Sequence, residues 1–72
     1  MKVQTVNISF ETPVQALGGV AFVEFDESKG YPDLHYLVRD GQHVVNYSTP
    51  DNGRRKGISF PAHNVEAVST IL

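Results

Sequence analysis

Half of the lysines and arginines of this chain stand in one tripeptide, Arg54-Arg55-Lys56, bracketed by Gly53 and Gly57. In a turn, such side chains project and nearby backbone amides are free. That combination can hold phosphate oxygens or an acidic protein surface. The same charges in a hairpin loop also serve simply to keep a sheet edge solvated. His35, His43 and His63 raise the question of a metal site. If Asp40-Gly41 is a two-residue turn, His35 and His43 point to opposite faces and cannot share an ion. Glu24, Asp26, Glu27 and Asp33 do not follow the spacing of a calcium loop. They read as a solvated turn, or as an acidic patch for a basic partner.

Nucleophilic chemistry finds no frame. Ser9, Ser28, Ser48, Ser59 and Ser69 lie outside any nucleophile-elbow pattern, and the chain has no cysteine. Gly18-Gly19 lacks the lysine and spacing of a phosphate loop. The expectation is a protein that is not an enzyme, with no cofactor and no metal.

The 72 residues allow one domain, 1–72, with a modest core. Disulfides and thiolate zinc sites are excluded, so a partner chain is the natural supplement to that core. The net charge of −2 argues against avid, non-specific nucleic-acid binding. No apolar run has membrane-spanning length, and the N-terminus lacks the apolar core of a signal peptide. A soluble, cytoplasmic protein is expected.

The pattern along the chain is that of strands. Val3 to Phe10 alternates, with Val6, Ile8 and Phe10 on one face and Val3, Thr5 and Asn7 on the other. Thr12-Pro13-Val14-Gln15 fits a capping box opening a short helical turn near 13–17, closed by Gly18-Gly19; an irregular loop fits as well. Val20 to Phe25 is apolar on both faces until Glu24, which predicts the most central strand. Asp26 to Asp33 is a polar turn region.

Asp40-Gly41 predicts a tight hairpin, because its turn needs two positive φ angles. Closing on it pairs Arg39 with Gln42, Val38 with His43, Tyr36 with Val45 and Leu34 with Tyr47. Leu34, Tyr36, Val38, His43, Val45 and Tyr47 then share the core face, and His35, Leu37, Arg39, Gln42, Val44 and Asn46 the other. Thr49 to Gly57 reads as a second turn and Ile58 to Phe60 as the fifth strand. Residues 65–72 fit a strand or a short helix; their β-branched content favours the strand.

Phe60-Pro61-Ala62-His63-Asn64-Val65-Glu66-Ala67-Val68 resembles the closing segment of SH3 domains: an apolar strand, a proline, a polar helical turn and a final valine-containing strand. The resemblance, over residues 57–68, implies an all-β, five- to six-stranded SH3-like barrel or a strongly bent antiparallel sheet. It implies no ligand. The aromatic-rich opening motif and the tandem tryptophans are missing, and His63 and Asn64 stand where the family usually has asparagine and tyrosine. In size and lack of cysteine the chain is also similar to small accessory proteins of phages and mobile elements.

The function expected is a non-enzymatic interaction module, a regulator or inhibitor that binds a protein partner through a sheet face or strand edge. The contacts expected are Tyr31, Leu37, Arg39, Val44, Arg54, Arg55 and Lys56. Two alternatives stand beside it. One is a nucleic-acid-binding barrel using the basic loop 54–56; the other is a structural subunit of a homo-oligomer, a homodimer among them.

Overall fold

A computed structural model describes residues 1–72. It contains six strands: β1 (Thr5–Val14), β2 (Val20–Asp26), β3 (His35–Arg39), β4 (Gln42–Ser48), β5 (Arg55–Pro61) and β6 (Val65–Ile71). They form two antiparallel three-stranded sheets, in the orders β2-β1-β6 and β3-β4-β5. The helical content is confined to 3₁₀ turns at Gln15–Leu17, Glu27–Lys29 and Ala62–Asn64. No helix is long and apolar enough to cross a membrane.

The alternation of β1 works as its sequence dictates. Val6, Ile8 and Phe10 are buried, and they meet Val45 and Tyr47 of β4 and Phe60 of β5 in one apolar cluster. Phe60 is central to it: its ring centroid lies 5.1 Å from that of Phe10 and 6.5 Å from that of Phe25. Burying each aliphatic side chain of this kind contributes on the order of 1.5–3 kcal/mol. Nine residues are buried, none of them polar or charged, so each carries a large share of the stability.

The Asp40-Gly41 hairpin forms in the register its turn residues require. Arg39 pairs with Gln42, Val38 with His43 and Tyr36 with Val45. Asp40 and Gly41 take φ angles of 51° and 71°. The core face is buried at Leu34, Val45 and Tyr47, but Val38 near the tip is exposed because the hairpin outruns the core. Residues 65–71 form a strand, and Pro61 leads into the 3₁₀ turn Ala62–Asn64.

Four local expectations are corrected. The first concerns Val3, which is buried alongside Val6. The chain bends at Gln4, so the alternation breaks there. Residues before the bend run beside β3: Val3 N donates to Leu34 O at 3.1 Å and Tyr36 N to Met1 O at 2.8 Å. This crossing joins the two sheets at one corner.

The second correction concerns β2, which is an edge strand; β1 is central in its sheet. Val20, Ala21 and Phe22 are exposed because β6 takes the other side of β1 and no third layer covers β2. The third concerns Thr12, which caps no helix. β1 runs on through Val14, and the 3₁₀ turn after it has no side-chain cap, though Gly18 ends it in the left-handed region with φ 88°.

The fourth correction is the start of β5 at Arg55, not Ile58. Ser48 pairs with Arg55 and Tyr47 with Lys56, which shortens the turn. Asn52 organises what remains: its Oδ1 accepts from Thr49 Oγ1 at 2.7 Å and from Arg54 N at 3.0 Å.

Candidate protein-interaction surface

β2 pairs only with β1, and β5 only with β4. The two sheets are joined beside β3 by the bridge between Lys2 and His35. On the other side, β2 and β5 face each other without a ladder. Half of the backbone groups along each edge therefore lack a strand partner.

The seam between these edges is hollow and apolar. One hollow of about 530 Å³ lies under the arch formed by the end of β1 and the 3₁₀ turn, lined by Phe10, Val14, Leu17, Ile58 and Pro61 among others. A second of about 310 Å³ continues along β2 past Val20, Phe22, Val23 and Tyr31. Leu17 and Ile58 line both, so the two adjoin. Phe22 stands at the lip with 56% of its surface exposed. Such an aromatic on an edge strand is the kind of side chain that anchors a protein contact.

Asn64 holds the arch in place. Its Oδ1 accepts from Thr12 N at 2.9 Å, and its Nδ2 donates to Thr12 O at 3.0 Å. The carboxamide thus imitates a strand residue and ties the end of β1 to the turn before β6.

The residues singled out by sequence fall in several places. Leu37 and Val44 are direct cross-strand partners on the outer face of the second sheet, with Arg39 opposite Gln42 beside them. Leu37 and Val44 are half-buried and Arg39 is exposed. Tyr31 is half-buried and packs inward, its ring centroid 5.1 Å from Phe25 and 4.8 Å from Tyr47, both edge-on. It nonetheless contributes to the wall of the smaller hollow.

The basic tripeptide is divided. Arg54 ends the turn, and Lys56 is exposed in β5 on the side opposite Arg55. Arg55 folds over its own sheet. Its Nη1 donates to Asp33 Oδ2 at 2.7 Å, to Asp33 O at 2.9 Å and to Ser48 Oγ at 3.1 Å. Its Nη2 donates to Asn46 Oδ1 and stands 3.2 Å from His35 Nδ1. Arg55 thereby pins the Pro32–Leu34 segment to β4.

The other charged groups are local. Asp26 accepts from Ser28 Oγ at 2.7 Å and Ser28 N at 2.9 Å, which hold its carboxyl below the ordinary range. Lys2 lies 3.9 Å from Glu27 and 3.7 Å from Asp33. His35 and His43 occupy opposite faces of the hairpin, as its register requires. The Tyr36 hydroxyl lies 2.7 Å from His43 Nδ1, and burial pushes the phenol up from its ordinary value.

Sequence reasoning missed Leu17, Phe22 and Ile58 as a site. The signal was present in Val20–Phe25, a run apolar on both faces. A run apolar on both faces predicts a central strand, although an edge strand beside an uncovered hollow has the same composition. In comparison with known proteins, the chain matches no family model, no curated protein and no solved structure.

Proposed function

We propose that this chain is a non-enzymatic interaction module that binds a protein partner at the seam between β2 and β5, as a regulator or inhibitor would. On this reading the two sheets are halves of a six-stranded SH3-like barrel left open along that seam. The 3₁₀ turn after Pro61, joining β5 to β6, supports the barrel reading.

The observation that carries the function is the seam itself: two strand edges with unpaired backbone on either side of an apolar hollow. An extended segment entering it gains main-chain hydrogen bonds from the edges and buries apolar side chains between them. Apolar burial of this kind contributes roughly 25 cal/mol per Å². A nucleic-acid contact through Arg54, Arg55 and Lys56 is the weaker reading, since Arg55 is already engaged by Asp33, Ser48 and Asn46. The Leu37–Val44 pair, with Arg39 and Gln42 beside it, lies on the outer face of the second sheet, away from both hollows.

Photo-cross-linking tests the assignment. A benzophenone amino acid is placed at position 22 in one protein and at position 44 in another, and each is irradiated in a lysate of the source organism. Polypeptide adducts concentrated at position 22 are expected. Adducts only at position 44 move the site to the outer face of the second sheet, and adducts at neither contradict the function.

A further inference from the structure

We infer that the occupant of the seam is an extended segment that adds to the free edge of β2, with a lysine or arginine beside Glu24 and apolar residues beside Val23 and Phe22. The inference rests on the reading of the seam as the contact surface and names the chemistry of its partner.

Hydrogen bonding identifies the residues of β2 whose backbone is free. Thr5 and Asp26 stand opposite each other, and Glu27 N donates to Gln4 O at 2.8 Å. That bond flanks the Thr5–Asp26 pair, so the amide and carbonyl of Asp26 turn away from β1. The register continues without a shift to Phe22, so those of Glu24 and Phe22 turn away as well. A strand laid against this edge exchanges hydrogen bonds with Glu24 and Phe22. The residues it sets opposite them share their face of the sheet. That face is the outer one: Glu24 and Phe22 pair with Asn7 and Ser9, whereas Phe25 and Val23 pair with the buried Val6 and Ile8. The residue opposite Val23 points inward, to the hollow that Val23 lines with Leu17 and Ile58.

The side chains along the edge define what the segment carries. Glu24 is exposed and forms no ion pair. Asp26 shares its face, and β1, β2 and β6 hold neither lysine nor arginine. Across the seam, Arg55 is held by Asp33 and Lys56 faces inward opposite Tyr47. A cation on the segment beside Glu24 supplies the partner that the fold does not. Phe22, 56% exposed, takes an apolar neighbour on the outer face, and the hollow takes another from within. In antiparallel order, the more stable pairing, the segment reads basic–apolar–apolar from its N-terminus.

A second copy of the chain does not meet this requirement. Its β2 has no cation to offer. Thr49 N donates to Arg54 O beside the Ser48–Arg55 pair, so Arg55, Gly57 and Ser59 face the free edge of β5, and the one cation among them is already held.

Fluorescence anisotropy of a dye-labelled synthetic peptide tests this with the whole chain. The probe is Ser-Thr-Val-Lys-Leu-Phe-Val-Thr-Ser, which sets its lysine opposite Glu24 when its leucine enters the hollow. The wild type should bind it, Glu24→Lys should weaken binding by about threefold or more, and added salt should weaken it too. The same peptide with glutamate for lysine should show the reverse preference, and its binding to Glu24→Lys confirms that the variant is folded. Peptides that bind both proteins alike overturn Glu24 as the selecting group. Protein adducts at position 22 without binding of either peptide overturn the segment's chemistry and leave the interaction module standing. Neither binding nor adducts overturns both readings.

Discussion

Replacing Asn64 with alanine removes a two-way clamp and leaves the groups it served without a substitute in the protein. Thr12 N loses its acceptor at 2.9 Å, and Thr12 O loses its donor at 3.0 Å. Each hydrogen bond of this type contributes a net 0.5–1.5 kcal/mol or so. Water reaches exposed Thr12 and supplies part of what is lost, which places the pair at about 1–2 kcal/mol. A chain of this length has roughly 4–11 kcal/mol in total, so the loss is a large fraction. It corresponds to a fall in Tm of roughly 4–16 °C. The assay is urea unfolding at constant m, paired with amide exchange, in which Thr12 should speed up before the rest of β1. Asn64→Asp keeps the acceptor but sets a carboxylate against Thr12 O. Its cost should shrink on acidification, as the protonated acid regains the donor. A change for Asn64→Ala within about 0.5 kcal/mol, typical of an ordinary surface substitution, with unaltered Thr12 exchange, would refute the clamp.

Leu34 is fully buried beneath the crossing of the two sheets, so Leu34→Ala should cost about 2–5 kcal/mol in chemical denaturation, a large fraction of the domain's stability. Gly41 sits at φ 71°, and Gly41→Val should cost about 1–2 kcal/mol in thermal melts by forcing a β-branched residue into the left-handed region. The Tyr36 phenol is raised by burial, so the unfolded phenol ionises first, near pH 10 or so. Between the two ionisations the unfolded state holds fewer protons, and stability falls as pH rises; the alkaline loss should be smaller in Tyr36→Phe. Leu37→Asp and Val44→Asp should leave association intact, because both lie on the outer face of the second sheet; loss of association in either would move the interface to that face.

The hairpin was fully legible in the sequence because Asp40-Gly41 fixes both turn type and register, and register decides the face of every residue from His35 to Tyr47. The Pro61-led turn and the strand after it were legible for a similar reason: a proline ends one element and β-branched residues begin the next. Val3 was misplaced because a bend at Gln4 leaves no mark in the residue pattern. Pairing with Leu34 and Tyr36, far along the chain, determines it. Asn64 was visible only as a departure from a family pattern; its role depends on Thr12 lying opposite, a contact across 52 positions. The candidate site escaped for the same reason. Leu17, Phe22 and Ile58 are unremarkable apolar residues until the topology leaves β2 and β5 unpaired on either side of a hollow. Arg55 shows the converse: a residue that composition marks as free is held by Asp33, distant in sequence and adjacent in the fold.

The most direct test of the account is residue-resolved NMR of the labelled chain's backbone amides, alone and in a lysate of the source organism. The account predicts shifts or broadening on partner binding confined to Leu17, Val20 to Phe25 and Lys56 to Phe60, the two lips and the arch above them. Changes confined to Leu37 to Val44, or none at all, would contradict the assignment of the seam as the surface on which this chain meets a protein partner.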